Sequence, residues 1–361
     1  AYILREPVGV CGFIIPWNSP LLLMSWKLAP ALAAGCTCVI KPSEFTSAST
    51  LEFMKLVIEE ADLPPGVVNV VTGSGAEAGE ALVKHPKVSK IAFTGGSATG
   101  SHVAALASSQ FKKVSLELGG KSPNIVFDDC NMDDAVSGAI SGIFAATGQT
   151  CIAGSRLLVQ ENIHDEFVEK LVAMAQTAKL GNPMLFETQV GPVTTPPQYE
   201  KILSYLDVAK GEGAECVMGG GPAGADIGGG KYFVQPTVFT GVDNAMRIAQ
   251  EEVFGPVLSV IKFKDEDDAA RIANDIMYGL GSGVWTQNLR RATSMAQRIR
   301  AGTVWVNTYR AVSFTMPFGG YKSSGLGREH GQSAIEEYLQ TKSVWINNGP
   351  GGGNPFVMKT G

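Results

Sequence analysis

An α/β fold in two domains is what the chain predicts, and three observations carry that expectation. Its 361 residues exceed what one hydrophobic core usually supports. Apolar, β-branched runs alternate with helix-like segments at the spacing of βαβ units, which requires a parallel sheet. Clusters of turn residues, Pro64-Pro65-Gly66, Gly73-Ser74-Gly75 and Gly119-Gly120, punctuate those units. Taken in order, a strand over 8–15 precedes a helix over 21–34, and a strand over 38–41 precedes a helix over 47–61. The strand 67–71 then leads to a helix at 77–84, and 91–93 to a helix at 98–110. A second alternating block runs from 124 to about 305, with helices over 132–144, 164–178, 266–275 and 289–298. The glycine-rich run 219–230 reads as a surface loop joining two strands, and 347–361 as an extended end.

Composition narrows the function. With 45% hydrophobic and 17% charged residues the chain reads as a soluble globular protein, and no apolar run reaches the ~18 residues that span a bilayer. A net charge of −5 with scattered Lys and Arg gives no basic patch for nucleic acid. Neither a membrane nor a nucleic acid is therefore expected as partner, and a small molecule is. Six cysteines without regular spacing point to free thiols in a reducing compartment, the cytosol. The chain starts at Ala1 and enters a strand-like run within its first residues, so an N-terminal segment, and any organellar leader with it, is expected to be missing.

One cysteine stands apart. Cys151 lies among small and polar residues in Thr147-Gly148-Gln149-Thr150-Cys151, a setting that favours access and thiolate character. Cys11, Cys36, Cys38 and Cys216 fall in strand-like runs where a thiol acts as a small hydrophobe, and Cys130 follows an Asp pair that raises its pKa. None of the four histidines has a motif around it, and no CxxC or HExxH spacing suggests a metal. The base is then expected to be a carboxylate. Glu117, flanked by leucines at a strand end, suits that role if burial raises its pKa. It is equally read as a salt-bridged strand-end carboxylate, or as a ribose-binding acid downstream of the glycine fingerprint Gly95-Gly96-Ser97-Ala98-Thr99-Gly100. That fingerprint follows a strand and opens a helix, the context in which helix N-terminal amides face a pyrophosphate.

In sequence order, "PWNSP" (16–20), "KPSE" (41–44), "FTGGSATG" (93–100), "LELGGKSP" (116–123), "GQTC" (148–151), "EEVFGP" (251–256) and "PFGGYKSSGLGRE" (317–329) resemble blocks of the NAD(P)-dependent aldehyde dehydrogenase superfamily, over 5–346. The resemblance implies a Rossmann-like parallel-sheet cofactor domain (1–119), a second α/β catalytic domain (120–325) and a C-terminal return segment with an oligomerisation tail (326–361), the first few residues belonging to an oligomerisation arm. It implies a homodimer or homotetramer, and it leaves out the family's N-terminal portion. By the same resemblance Cys151 attacks the aldehyde carbon to give a thiohemiacetal whose hydride passes to nicotinamide, leaving a thioester. Glu117 activates the hydrolytic water and helps deprotonate the thiol. Asn18 supplies an oxyanion-hole amide beside the Cys151 N–H, although an N-cap role for the helix starting at Pro20 fits the sequence equally well.

The resemblance places Lys41 and Glu44 at the adenosine ribose, Gly95 and Ser97 in the pyrophosphate turn, and Glu252 at the nicotinamide ribose, with Phe254 near the nicotinamide and Trp17 also against the cofactor. Glu44 favours NAD over NADP because a carboxylate repels a 2′-phosphate. Gly96 stands where many members have serine, and Ser97 or backbone amides are expected to compensate. The aldehyde tunnel is expected near Trp26, Phe144, Tyr309 and Phe318, aromatics that could equally be ordinary core. Arg310 is expected at its mouth, where it could recognise a carboxylate tail; a solvated surface arginine is the competing reading. Glu117 favours hydrolysis over the coenzyme A-acylating branch. A non-catalytic structural member of the fold is the other alternative.

Overall fold

The computed structural model describes residues 1–224, 227, 230–349 and 356. Two sheets organise it. The first has six strands in the order Gly325–Leu326, Lys113–Glu117, Val88–Thr94, Val10–Ile14, Thr37–Lys41 and Val68–Val70, with only the first of these antiparallel to its neighbour. From Val10–Ile14 the chain first builds outward through Thr37–Lys41 to Val68–Val70. It then returns to add Val88–Thr94 on the other side, so the order reverses between these two adjacent strands. That reversal opens a crevice at the carboxyl ends of the strands, where ligands bind in open α/β sheets.

The second sheet has seven strands in the order Thr303–Val306, Gly281–Trp285, Pro123–Val126, Arg156–Gln160, Val257–Phe263, Thr237–Thr240 and Glu215–Met218. All are parallel except the edge strand Glu215–Met218. Its central strands are buried on both faces, as in Arg156–Gln160 and Val257–Phe263, because helices cover the sheet on each side. The glycine-rich run joins the antiparallel neighbours Glu215–Met218 and Thr237–Thr240; its residues 225, 226, 228 and 229 lie outside the described residues, as do 350–355 and 357–361 of the tail.

The chain returns to the first sheet slightly ahead of residue 326. The Ser323 carbonyl already accepts from Ser97 Oγ at 3.1 Å, and the Ser324 carbonyl accepts from Leu118 N–H at 2.9 Å. Beyond it, Leu339–Val344 pairs antiparallel with Tyr2–Pro7 in a separate two-stranded ribbon. Tyr338 anchors the ribbon by packing edge-on against Phe13, ring centroids 6.1 Å apart, within the core of the first sheet.

Helices Met132–Phe144 and Leu289–Arg298 fall where the sequence places them. One long helix, Pro196–Gly211, is additional. Its start was legible: Thr195 caps the Gln198 N–H and Pro196 occupies the first turn, the Thr-x-x-Gln arrangement of a capping box. Two successive prolines mask it as a turn.

Candidate active site

The two sheets face each other with opposite polarity. Asn18, Lys41, Gly95 and Glu117 follow or end strands of the first sheet, whereas Gly120, Cys151 and Glu252 precede strands of the second. Close backbone approach brings them together. A Cβ on Gly119 would lie 2.6 Å from Glu252 Oε2, and one on Gly120 would lie 2.5 Å from the Cys151 carbonyl oxygen. The Gly120 N–H instead donates to Glu252 Oε1 at 2.9 Å. Ala146, Thr147 and Gly148 take consecutive positive φ of 52°, 56° and 68°, turning the chain from helix Met132–Phe144 toward Cys151.

Two cavities meet at Cys151 and Asn18, which line both. The smaller, about 160 Å³, is also lined by Trp17, Gly95, Glu117, Glu252 and Phe254. Trp17 and Phe254 meet edge to face with centroids 5.4 Å apart. Gln198 and Lys201 line it as well, and these two escaped the sequence reading because their helix did. The Gln198 amide donates to the carbonyls of Val253 (2.8 Å) and Phe254 (3.0 Å), fixing the segment that carries Glu252. Lys41 and Glu44 lie outside that lining and pair with each other at 3.2 Å.

Helix Pro20–Ala33 takes Ser19 as its N-cap residue, left-handed at φ 47°, and no side chain caps it. The Asn18 amide is therefore not spent on the helix and stays on the cavity walls. Glu117 is only 4% exposed, and neither carboxyl oxygen has a hydrogen-bond partner among the described residues, so the salt-bridged alternative does not hold. Burial pushes its pKa well up, the Glu329 carboxylate adds to the rise, and Lys27 and Arg328 oppose it. Lys27 is itself held by Glu329 and by Thr94 Oγ1 at 2.6 Å.

The thiol departs from expectation. Burial, followed by repulsion from Glu117 and Glu252, pushes Cys151 up to about 12 against the pull of the Ile152 and Cys151 backbone groups. Burial first, and the two carboxylates second, thus disfavour the thiolate, so small neighbours in the sequence do not by themselves make this sulfur acidic. A protonated Glu117 no longer repels it. Lys121 is a second group that sequence reasoning missed: buried, with no hydrogen-bond partner for its ammonium among the described residues, it is pushed down to about 7, chiefly by burial.

Two further expectations need correction. The Ser97 hydroxyl donates to the Ser323 carbonyl at 3.1 Å, so it does not replace the hydroxyl missing at Gly96. The larger cavity, about 730 Å³, is lined by Trp26, Arg310 and Phe318 but not by Phe144 or Tyr309. Phe144 is buried in the core of the second sheet, and Tyr309 donates its hydroxyl to the Ile152 carbonyl at 3.0 Å while packing on Trp305. His330, set aside in the sequence with the other histidines for want of a motif around it, completes an aromatic corner there with Trp26 at 4.0 Å and Phe318 at 6.4 Å between centroids.

This convergence of a buried carboxylate, a cysteine and an asparagine between two parallel sheets defines an enzyme of covalent catalysis at a dinucleotide-type crevice. The model of the Aldehyde dehydrogenase family matches residues 1–344, and the chain belongs to that family. It is 50% identical over 344 residues to an aldehyde dehydrogenase of Emericella nidulans, covering 95% of this chain and 68% of that protein. With aldehyde dehydrogenase 1A1 of Oryctolagus cuniculus the identity is 48% over 346 residues, covering 96% and 69%. A crystal structure of betaine aldehyde dehydrogenase from Staphylococcus aureus in complex with NAD+ superposes with a TM-score of 0.96 at 44% identity, covering 99% of this chain and 71% of that one.

Proposed function

We propose that the chain oxidises an aldehyde to its carboxylic acid with NAD as hydride acceptor and water as acyl acceptor. The single observation that carries the reading is the meeting of both cavities at Cys151 and Asn18, with unpartnered Glu117 on the smaller side. The residues on that side fit the cofactor: Gly96 heads helix Ser97–Ser108 with open space where a Cβ would stand, leaving the helix N-terminal amides accessible to a pyrophosphate. Glu252, Gln198 and Lys201 would hold the nicotinamide half. At the adenosine end Lys41 and the half-exposed Glu44 would hold the ribose, and the Glu44 carboxylate disfavours a 2′-phosphate. The chemistry NAD supplies when bound is acceptance of the hydride released from the aldehyde carbon.

The chain's own residues do the rest. Glu117 takes the Cys151 proton, and the sulfur adds to the aldehyde carbon while the Asn18 amide and the Cys151 N–H receive the oxyanion. After hydride loss the acyl group rests on Cys151 as a thioester. Once Glu117 has passed the thiol proton to solvent, it takes a proton from water, which displaces the sulfur and releases the acid. A buried carboxylate with a raised pKa is a stronger base than an exposed one, which suits both proton transfers. A panel of aliphatic, aromatic, amino- and carboxy-aldehydes tests the reading: NADH should form with some of them, and Cys151→Ala should lower turnover by about 10⁴-fold or more. Turnover surviving that substitution would overturn the mechanism.

For assembly, the exposed Tyr2, Ile3, Trp345 and Ile346 on and beside the two-stranded ribbon support an oligomerisation arm in a homodimer or homotetramer. A single-chain mass by light scattering would remove that assignment. Six free cysteines support a reducing compartment, for which the cytosol is the proposal, and fractionation of cells tests it. Among the described residues no helix is long and apolar enough to cross a membrane.

A further inference from the structure

The larger cavity has a one-sided electrostatic character. At about 730 Å³ it falls in the size range of sites that bury most of a drug-sized molecule, well beyond the needs of a two-carbon aldehyde. Much of its wall is apolar: Leu22, Leu23, Trp26, Val312 and Phe318. Among the described residues no Asp, Glu or Lys lines it, and the one permanently charged lining residue is Arg310. Burial lowers the pKa of His330 and so disfavours its charged form.

Arginine is seldom buried without an anionic partner. Arg310 is half-buried, yet among the described residues its hydrogen-bond partners are main-chain carbonyls: Nη1 donates to Ala145 at 3.2 Å and to Ser141 at 3.4 Å. Those bonds fix the plane of the guanidinium and leave Nε and Nη2 without a hydrogen bond among the described residues. The backbone at Arg310 is held left-handed, φ 63°, a strained conformation for a long side chain and one that persists only where the surroundings enforce it. The result is a pre-oriented donor pair, of the geometry that binds carboxylate in two-pronged fashion, on an apolar wall with no internal counter-ion.

We propose that the substrate is an aldehyde with an apolar body and an anionic far end, an ω-oxo carboxylate or its aromatic equivalent, whose carboxylate pairs with Arg310 while its carbonyl reaches Cys151. This rests on the aldehyde-oxidising reading and deepens it. A free cationic aldehyde meets the same guanidinium with no carboxylate to offset it, so this chain discriminates against trimethylammonium substrates.

The test compares kcat/KM for ω-oxo acids of graded chain length with their methyl esters, and with betaine aldehyde, in the wild type, Arg310→Gln and Arg310→Lys. At the best length the wild type should prefer acid over ester by about 10- to 100-fold, the worth of a hydrogen-bonded charge pair. The glutamine variant should bring that ratio close to one, and the lysine variant should keep part of it, since charge survives without the fork. Equal rates for acid and ester in the wild type, a preference that survives Arg310→Gln, or betaine aldehyde matching the best acid would each overturn the proposal. A second readout needs no turnover: dicarboxylates should slow iodoacetamide alkylation of Cys151 more than monocarboxylates of equal length, and Arg310→Gln should erase the difference. If no aldehyde yields NADH while this protection persists, the oxidation reading fails and the anion site stands. If protection is also absent, both fall.

Discussion

The two sheets contribute to one site from opposite ends of their strands. In the six-stranded sheet Asn18, Gly95 and Glu117 sit at carboxyl ends, beside the reversal in strand order, while in the seven-stranded sheet Gly120, Cys151 and Glu252 sit ahead of amino ends. The difference separates chemical duties. The second sheet's leading loops bring the nucleophile and hold Glu252 against the Gly120 N–H. In the proposed mechanism the first sheet brings the base, Glu117, and the amide, Asn18, that serve whatever is attached to the sulfur. On that reading, a covalent intermediate on Cys151 is processed by residues of the opposite sheet.

The largest test of that division is Glu117→Gln. Steady-state NADH production should fall by about 10²- to 10⁴-fold, the usual worth of a general base. A burst approaching one NADH per site should persist, because acylation needs the base only to take the thiol proton, which solvent can also accept at alkaline pH. Since burial raises the Glu117 pKa, its basic form grows as pH rises, and wild-type deacylation should climb with pH through neutrality. Rapid-quench measurement across pH should show that limb lost in the variant. A burst abolished along with turnover would mean that Glu117 serves mainly the thiol, and the division by sheet would break.

Asn18→Ala comes next. Its amide belongs to the first sheet but lines both cavities, so it should act on the oxyanion of both half-reactions. Burst rate and steady-state rate should drop together by about 10²- to 10³-fold. Loss of thermal stability without a rate effect would return Asn18 to the capping role that the Ser19 N-cap argues against.

How much of this was legible follows from where each constraint lives. Cys151, Glu117 and Glu252 stand in short contiguous stretches whose glycines permit backbone contact, so sequence order alone carries the pattern. The substrate wall is assembled from segments far apart in the chain, and an aromatic residue reads the same whether it faces a cavity or the core. Trp26 and Phe318 face the cavity; Phe144 and Tyr309 turn into packing against the second sheet. The raised Cys151 pKa was invisible for a related reason: it arises from burial and from two carboxylates, one from each side of the crevice. Gln198 and Lys201 are different, since the Thr195-Pro196-Pro197-Gln198 cap was present in the sequence and was overlooked behind its prolines.

The smallest expected effect probes the asymmetry of the two sides at a glycine. Gly96 has φ −69° and ψ 147°, open to any residue, and a Cβ there would meet nothing within 4 Å. On the other side a Cβ at Gly120 would press to 2.5 Å from the Cys151 carbonyl oxygen. Gly96→Ser should therefore fold normally and gain a few tenths of a kcal/mol from a better N-cap on helix Ser97–Ser108. The added hydroxyl has two competing uses, capping its own helix or donating to a pyrophosphate, and Ser97 is already committed to Ser323. The KM for NAD should consequently fall by no more than about three-fold, within the range of one neutral hydrogen bond. A rise of ten-fold or more in titrations of the variant would show that the crevice needs the bare glycine for cofactor approach, and that the carboxyl-end side is as tightly fitted as the amino-end side.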